Sequence, residues 1–283
     1  MALPFLDCGA RRIDQIVQPG VLCVFNFDGT LAPTVAQPDQ AQTPWGILLR
    51  LLALSRHAPI AVMTGRSIAD LQTRLGFEPE FVVGNHGLEG LPESERLAGR
   101  YIGLCREWEA KIAAQLKQAG FDPAIRIENK GYSLSVHYRL ARDHESAQQS
   151  MTELFSRVVP EARVVAGKCV FNLLPQGAGN KGAALEQLIR ASRATSAIYI
   201  GDDMSDEDIF QLRRPDLLTI RVGLEPHTAA EFFLPHQSGM VRALDALISK
   251  MRDSGIQNRM HATPVSSREM HRETSLEDNA VPI

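Results

Sequence analysis

The sequence lacks three features that would place the protein in a membrane, on nucleic acid or outside the cell. No apolar run approaches the roughly 20 residues that a membrane-spanning helix needs. Residues 1–12 lack the basic start and long apolar core of an export signal. The formal charge of -3 gives no basic field for nucleic acid or an anionic membrane surface. We therefore expect a cytoplasmic protein, a monomer, with neither a nucleic acid nor a membrane as its partner.

Cysteine is also scarce, and what there is shows none of the spacings typical of a metal site. The cysteines are Cys8, Cys23, Cys105 and Cys169. Cysteines so far apart predict reduced, mostly buried thiols, as in a cytoplasmic protein.

The 283 residues are enough for a main domain and a smaller second one. In the main part, apolar runs that end in turn residues alternate with helical patterns, which is typical of an α/β fold with a parallel sheet covered by helices. The predicted strands are Val21–Phe27, Ile60–Met63, Phe81–Val83, Ala197–Ile200 and Leu217–Val222, with helices at Trp45–Ser55, Ile68–Leu75 and Ala183–Ala191.

Between Gly99 and Pro175 the pattern changes to αββαββ. Two hairpin turns, Asn129-Lys130-Gly131 and Gly167-Lys168, indicate an antiparallel sheet and therefore a separate α+β lobe. The predicted elements are Tyr101–Ala119, Ala124–Glu128, Tyr132–Tyr138, His144–Val158, Ala162–Ala166 and Cys169–Leu174. We predict a discontinuous core at 1–98 and 176–252, an inserted cap at 99–175 and a disordered tail at 253–283.

The second predicted strand of this lobe alternates in polarity. Ser133, Ser135, His137 and Arg139 fall on one face, and Leu134, Val136 and Tyr138 fall on the other. The apolar face is expected to pack on helices, which leaves the polar face to meet a substrate or, alternatively, only solvent.

The most informative segment is Asn26-Phe27-Asp28-Gly29-Thr30, directly after a buried strand. Ligands of open α/β sheets bind at the carboxyl ends of the strands. Alternation along the strand predicts that the side chains of Asn26 and Asp28 lie on the same side. Taken alone, Asp-Gly-Thr is also an ordinary turn.

Two further motifs lie at predicted helix starts. In Met63-Thr64-Gly65-Arg66-Ser67, a hydroxyl and backbone N–H groups form a natural phosphate cradle. In Gly179-Asn180-Lys181-Gly182, a lysine adds its charge to the partial positive charge of the helix terminus. In isolation, the first would be a plain helix cap and the second a solvated loop lysine.

The fourth motif has five acidic residues among the seven from Asp202 to Asp208. Such a cluster repels itself unless a cation or a lysine is near. Oxygen ligands close to a phosphate favour Mg²⁺. The last three acids could instead favour a helix N-terminus, but Asp202 and Asp203 lie closest to the end of the strand.

Together the four motifs resemble those of the haloacid dehalogenase superfamily, and further stretches resemble its trehalose-6-phosphate phosphatase family over residues 19–250. The matching stretches are Phe27-Asp28-Gly29-Thr30-Leu31-Ala32-Pro33, Thr64-Gly65-Arg66-Ser67, Gly84-Asn85-His86-Gly87-Leu88-Glu89, Asn129-Lys130-Gly131, His137-Tyr138-Arg139, Asn180-Lys181-Gly182-Ala183-Ala184-Leu185, Gly201-Asp202-Asp203 and Asp206-Glu207-Asp208. The resemblance implies a Rossmannoid core with a cap, and Mg²⁺-dependent hydrolysis of trehalose 6-phosphate through an aspartyl-phosphate.

The resemblance also implies roles for individual residues. Mg²⁺ would be held by Asn26, Asp202 and the main chain of Asp28, with Asp203 in the metal site and Asp206 supporting it. Asn26 and Asp28 occupy the positions of the nucleophile and the general acid and base, while Thr64 and Lys181 would hold the phosphoryl group. The residues expected to bind substrate are Arg66, Asn85, His86, Glu128, Lys130, His137, Arg139 and Asn172.

Two positions depart from the family pattern. Asn26 stands where the family has its nucleophilic aspartate, and a neutral carboxamide cannot form an aspartyl-phosphate. Asn172 stands where a glutamate is usual, which puts the sugar specificity in question.

Three functions are compatible with these departures. Because the other phosphate and metal positions are intact, we favour a trehalose-6-phosphate phosphatase in which replacement of the nucleophile leaves a chain that traps substrate. The alternatives are a phosphatase for another sugar phosphate, such as sucrose or mannosylglycerate phosphate, and a native protein that binds a sugar phosphate without hydrolysing it.

Overall fold

The structure is a computed structural model that describes residues 2–35, 37–118, 120–167 and 169–258. These residues form two sheets. The strands are β1 (Leu3–Pro4), β2 (Val21–Phe25), β3 (Ile60–Met63), β4 (Phe81–Val83), β5 (Arg126–Asn129), β6 (Leu134–His137), β7 (Ala162–Gly167), β8 (Val170–Pro175), β9 (Ser196–Gly201), β10 (Leu217–Val222) and β11 (Phe232–Leu234).

Helices cover both sheets. They are α1 (Phe5–Cys8), α2 (Ala10–Ile16), α3 (Trp45–Leu54), α4 (Ile68–Leu75), α5 (Pro92–Glu95), α6 (Ala98–Gln118), α7 (His144–Val158), α8 (Lys181–Ser192), α9 (Glu207–Phe210) and α10 (Met240–Asp253). Three of the starts are capped by a side chain, because Ser67, Asp143 and Asn180 each accept a hydrogen bond from a backbone N–H in the first turn.

The larger sheet is parallel and has the order β1-β11-β10-β9-β2-β3-β4. Its inner strand β2, between β9 and β3, is buried at every residue, as expected for a strand with helices on both faces. Cys23 and Phe25 pack into the hydrophobic cluster under α3 and α10, whereas Leu22 and Val24 pack into the cluster under α8. Burial of both faces explains why β2 reads as one continuous apolar run.

The smaller sheet is antiparallel and has the order β5-β6-β8-β7. Its apolar face packs on α6 and α7, where Trp108 and Phe155 are fully buried with Val136 of β6. Both helices and all four strands come from the segment between the first and second halves of the large sheet. We refer to this unit, residues 98–175, as the cap.

The predicted α/β fold with a parallel sheet and an inserted antiparallel sheet is confirmed. The boundaries of β3, β4, β10, α4 and α7 agree with the predicted ones. In the cap, β5 begins two residues later than predicted because the Asp122 carboxylate accepts from the backbone N–H of Ala124 and holds a turn there. The predicted position Ala119 and the turn residue Lys168 lie outside the described residues.

Other parts of the chain differ from the sequence-based expectation. The edge strands β1 and β11 and the helix α10 were not predicted. The cysteines are unpaired, and two of them are buried, but Cys8 is exposed and Cys169 half-buried. The predicted tail begins where α10 ends, yet the backbone N–H of Asn258 still donates to the carbonyl of Arg56. The rest of that tail, 259–283, lies outside the described residues.

Candidate active site

Four chain segments meet beyond the carboxyl ends of β2, β3 and β9. They are residues 26–30, 64–67, 180–182 and 202–206. Parallel strands end at one edge of a sheet, so the loops that follow them are brought together there. The structure thus assembles all four sequence motifs into one polar cluster.

Asn26 lies at the centre of this cluster and is 4% exposed. Its amide nitrogen Nδ2 donates to the backbone carbonyl oxygen of Asp28 and to Oδ1 of Asp202, each at 2.9 Å. Its oxygen Oδ1 accepts from Nζ of Lys181 at 3.3 Å. Asn26 therefore contacts the main chain of Asp28, and the Asp28 carboxylate has another partner.

That partner is Arg66, whose Nε and Nη2 donate to the two carboxylate oxygens of Asp28 at 2.7 and 2.8 Å. Its Nη1 donates to Asp70 at 2.6 Å. Burial would lower the pKa of Arg66, but the hydrogen bonds and charges of Asp28 and Asp70 raise it instead. Arg66 was predicted to bind substrate, and in this structure its guanidinium instead holds the carboxylate of Asp28, the predicted general acid and base.

Asp202 is enclosed by donors on the core side of the site. Oδ1 accepts from Thr30 Oγ1 at 2.9 Å as well as from Asn26. Burial raises the pKa of Asp202 to about 7, Asp206 adds to the rise, and the two hydrogen bonds oppose it. A Cβ on Gly29, where φ is +76°, would lie 1.9 Å from the Asp202 carboxylate, so only glycine fits there.

Lys181 and Asp206 form a buried ion pair beside Asn26. The Nζ of Lys181 donates to Oδ1 of Asp206 at 2.6 Å, and both side chains are almost completely buried. The hydroxyl of Tyr199 donates to the same oxygen at 2.7 Å. Burial alone would lower the pKa of Lys181, but Asp206 and the neighbouring acids raise it. Lys181 is therefore a charged group directed at residue 26.

Asp203 has a different position from the other predicted metal ligands. Its carboxylate accepts from Ser205 Oγ at 2.9 Å, and with Asp206 it forms a capping box at the start of the short helix Met204–Asp206. Its observed contacts support the loop that carries Asp202.

A magnesium ion needs several hard oxygen ligands that converge on one point. Among the described residues, no three side chains of His, Cys, Asp or Glu are grouped as a metal site. The Asp202 carboxylate and the Asp28 carbonyl do converge, and both are hard oxygen ligands of the kind that Mg²⁺ prefers. These residues fit the ion if residue 26 contributes an oxygen as the third ligand.

Thr64 and His86 form the floor of the site towards the cap. Thr64 is fully buried, and its Oγ1 accepts from the backbone N–H of Arg66 at 3.2 Å. His86 has a φ of +59° and lies against Gly65, where a Cβ would come within 2.5 Å of the ring. Both ring nitrogens of His86 are buried without a hydrogen-bond partner. Burial, with Lys130 and Lys181 nearby, lowers the pKa of His86 well below its usual value despite the opposing effect of the Asn172 side chain, so the ring is neutral.

The hairpin between β5 and β6 closes over this floor. The Nζ of Lys130 donates to the carbonyl oxygen of Gly65 at 2.7 Å. Asn85 joins the two sides, because its Nδ2 donates to the Lys130 carbonyl at 3.3 Å and its Oδ1 accepts from Ser133 Oγ at 2.6 Å. Burial lowers the pKa of Lys130. Cap and core are therefore in direct contact at the site.

The remaining predicted substrate residues lie on the polar face of the cap sheet. Nε2 of His137 lies 2.8 Å from Oε2 of Glu128, and this hydrogen bond lowers the pKa of Glu128. Asn172 is buried and accepts from Ser135 Oγ at 2.7 Å. Arg139 follows β6 and is half-buried. Glu128 and His137 are therefore bonded to each other on this face of the cap sheet.

Several residues that support the site were not among those predicted from the sequence to catalyse the reaction, bind substrate or hold a metal. Thr30 and Tyr199 support the two buried acids, Asp70 holds Arg66, and Ser133 ties the cap to Asn85. Thr30 belongs to the first recognised motif and Asp70 to a predicted helix, so the sequence did offer a signal for these two residues. For Tyr199 the one comparable signal is its position on a buried strand, two residues before Gly201, where the acidic motif begins.

The trehalose-phosphatase family model matches residues 24–238. A trehalose-phosphate phosphatase from Mycobacterium tuberculosis (strain ATCC 25618 / H37Rv) is 30% identical over 251 residues, which are 84% of this chain and 63% of that protein. A trehalose-6-phosphate phosphatase related protein of known structure has a TM-score of 0.68 at 24% identity, covering 82% of this chain and 99% of that one. The C-terminal domain of the C. albicans trehalose-6-phosphate phosphatase has a TM-score of 0.66 at 20% identity, covering 88% and 98%.

A parallel core sheet, an inserted antiparallel cap and a polar cluster at the strand ends define the class of α/β proteins with an inserted cap, whose fold those two structures share. Within that class, the chain belongs to the trehalose-phosphatase family. It spans 63% of the length of that mycobacterial relative. No helix in the described part of the chain is both long and apolar enough to cross a membrane.

Proposed function

We propose that this site is built to hydrolyse trehalose 6-phosphate, and that Asn26 limits the present chain to binding it. The observation that carries the proposal is the position of residue 26 between Lys181 and Asp202. On one side is a cation that can neutralise a phosphoryl oxygen, and on the other is a carboxylate that can help to hold a metal.

With aspartate at position 26, a carboxylate oxygen would attack phosphorus and the sugar oxygen would leave with its electron pair. Water would then attack the phosphorus of the aspartyl-phosphate, releasing inorganic phosphate and restoring the carboxylate. Asn26 lacks the anionic oxygen for the first step. The present chain would therefore bind substrate as a phosphatase does in the ground state, but it would lack the nucleophile.

Asp28 is the group that we assign to proton transfer, since it lies two residues from position 26 and its carboxylate reaches the same cleft. It would protonate the departing sugar oxygen and later accept a proton from the attacking water. The clasp by Arg66 fixes both oxygens of Asp28. We therefore assign Arg66 a positioning role in place of direct substrate binding.

The phosphoryl group would be held by Lys181, by Thr64 and by backbone N–H groups of the loop after β3. Magnesium would be held by an oxygen of residue 26, the Asp202 carboxylate and the Asp28 carbonyl, and it would supply charge neutralisation on the transferring group. Asp203 would act through the loop that it stabilises.

For the sugar, we assign the polar face of the cap sheet and the floor beneath it. The buried, neutral ring of His86 has two nitrogens without partners, so a sugar hydroxyl could both donate to it and accept from it. Lys130 and Asn172 lie within this closed region, with Asn85 at its edge, while Glu128, His137 and Arg139 complete the polar face. A sugar phosphate is the ligand class that offers both the anion and the hydroxyls.

The test is phosphate release from trehalose 6-phosphate with Mg²⁺ by the Asn26→Asp variant, with the unaltered chain as baseline. Loss of a nucleophile usually removes several orders of magnitude of rate, so we expect the variant to exceed the baseline by at least about 10³-fold. Intact-mass analysis of the unaltered chain controls for deamidation of Asn26. A folded, Mg²⁺-binding variant that releases no phosphate from any sugar phosphate would contradict the proposal.

A substrate panel defines the sugar. Sucrose and mannosylglycerate phosphates are the relevant competitors, because Asn172 occupies the position where glutamate is usual in the family. Turnover of either compound equal to that of trehalose 6-phosphate would replace the proposed substrate. The Asn172→Glu change in the Asn26→Asp background is the matched variant, and we expect it to raise kcat/KM for trehalose 6-phosphate.

A second function, binding of a sugar phosphate without hydrolysis, is favoured by one observation. The amide of Asn26 is fully engaged by its three neighbours, as expected for a residue suited to its site. If the protein binds without hydrolysing, the unaltered chain should bind trehalose 6-phosphate tightly and the Asn26→Asp variant should gain no turnover.

A further inference from the structure

The amide nitrogen of Asn26 lies where two oxygens converge. Nδ2 is 2.9 Å from the carbonyl oxygen of Asp28 and 2.9 Å from Oδ1 of Asp202. These are the two oxygens that fit a divalent cation in the proposed function. Each hydrogen of the NH₂ group can be directed at one of them.

The orientation of this amide is fixed by its neighbours. Lys181 can only donate, so the atom facing its Nζ at 3.3 Å must be the amide oxygen. The Asp28 carbonyl can only accept, so the atom facing it must be the nitrogen. Turning the amide over would place a donor against a lysine and an oxygen against two acceptors, which would lose all three hydrogen bonds.

The charges around Asn26 are also accounted for by the protein itself. Asp206 is paired with Lys181 and accepts from Tyr199. Asp202 accepts from Asn26 and from the hydroxyl of Thr30. An aspartate at position 26 would remove the N–H donors and add a third carboxylate beside Asp202 and Asp206. Lys181 would then be the buried lysine facing three carboxylates.

We propose that the Asn26 amide takes the place of the divalent cation, so that this chain keeps its site assembled without metal. The inference rests on the metal position assigned in the proposed function. It has two consequences: Mg²⁺ stabilises the present chain only slightly, and the Asn26→Asp variant becomes dependent on Mg²⁺ for its stability. The amide thus makes a metal-free form of the site stable.

The experiment compares melting temperatures in EDTA and in MgCl₂ for three chains: the unaltered chain, Asn26→Asp, and the double variant Asn26→Asp/Asp202→Asn. The double variant exchanges the amide and the carboxylate between the two positions and leaves the total charge unchanged. We expect the single variant to melt lower than the unaltered chain in EDTA. With Mg²⁺ at about 100 times its dissociation constant, it should gain on the order of 5–10 °C.

The unaltered chain and the double variant should each gain less than about 2 °C under the same conditions. The Asp245→Gln variant, changed at an exposed surface residue, is the control for nonspecific ionic effects, and its Mg²⁺ response should match that of the unaltered chain. Titration calorimetry with MgCl₂ alone adds a measurement that does not depend on any variant folding. It should give at least about 100-fold weaker binding to the unaltered chain than to the single variant. If the single variant does not fold, the unaltered chain should still give no measurable binding heat.

A rise of more than about 5 °C for the unaltered chain in Mg²⁺, or calorimetric binding as tight as that of the single variant, would overturn the inference. A single variant as stable in EDTA as the unaltered chain would also overturn it. Failure of the proposed function gives a different pattern, because the variant would then show the Mg²⁺-dependent melting and yet release no phosphate from trehalose 6-phosphate.

Discussion

The core and cap sides of the cleft each bury a lysine head group, and the two are held in different ways. Lys181, on the core side, donates to the buried carboxylate of Asp206. Lys130, in the cap hairpin, donates to the neutral carbonyl oxygen of Gly65. The pKa of Lys181 is raised by its acidic neighbours, whereas burial lowers the pKa of Lys130.

This difference indicates which side of the site is complete on its own. On the core side, Asp202, Asp206, Lys181 and Asn26 satisfy one another through hydrogen bonds and opposite charge. On the cap side, a charged ammonium group meets a carbonyl, and the His86 ring below it has no partner. We therefore expect core substitutions to affect stability first and cap substitutions to affect ligand binding first.

The largest effect is expected for Lys181→Met, with Lys130→Met as its matched comparison. The first variant leaves Asp206 buried without its cation and should lower the free energy of unfolding by about 3–5 kcal/mol. The second leaves only a carbonyl oxygen without a donor and should lower it by no more than about 2 kcal/mol. Urea unfolding followed by circular dichroism measures both.

Equal losses of stability in the two lysine variants would remove the distinction between the sides. Lys250→Met is a further control, because Lys250 pairs with Asp14 at the surface. Exposed ion pairs contribute roughly 0–1 kcal/mol, so this variant should unfold close to the unaltered chain.

Two glycines in the left-handed region give a second comparison of core and cap. Gly29 has a φ of +76° and no room for a Cβ against Asp202, while Gly131 has a φ of +82° and nothing within 4 Å of an added Cβ. Gly29→Ala combines backbone strain with overlap and should lower the free energy of unfolding by about 2–4 kcal/mol. Gly131→Ala carries the strain alone, at about 1–2 kcal/mol. Chemical unfolding of the two variants side by side tests this, and a costlier change at Gly131 would be inconsistent with it.

The smallest of these effects concerns the pH dependence contributed by His86. Its native pKa is depressed, so below the unfolded value of about 6.5 the unfolded chain binds a proton that the native ring does not. Stability therefore falls as pH decreases through 6.5 and is fully present above it. Between pH 7.5 and 5.5, His86→Gln should lose about 1.4 kcal/mol less than the unaltered chain. If the free energy of unfolding changed with pH equally in the two chains, His86 would take up its proton in the native state as well, which would contradict this prediction.

Much of the fold could be predicted because its elements carry strong local signals. The continuous apolar run of β3, the mostly apolar run of β10 and the periodic pattern of α7 gave correct boundaries. The edge strand β1 has only two residues, Leu3–Pro4, and pairs in parallel with a distant part of the chain. Two residues carry no periodicity, so its partner depends on tertiary packing that the sequence does not display.

The site was predictable to the level of motifs and no further. Order along the chain indicated that residues 26, 64, 181 and 202 would meet, since each follows a strand or opens a helix. It could not indicate that Arg66 would form a bidentate ion pair with Asp28, because a guanidinium can equally bind a phosphate. Nor could it show which atom of the Asn26 amide faces Lys181. Such choices depend on distances between segments remote in sequence.

The most direct test of the account is whether position 26 carries the phosphoryl group during turnover. The Asn26→Asp variant would be mixed with trehalose 6-phosphate and Mg²⁺, quenched in acid and digested, and the peptide containing residue 26 would be weighed by mass spectrometry. We predict a phosphoryl adduct on that peptide and none on the same peptide from the unaltered chain. Rapid phosphate release without the adduct, or an adduct on a different peptide, would contradict the role assigned to this residue.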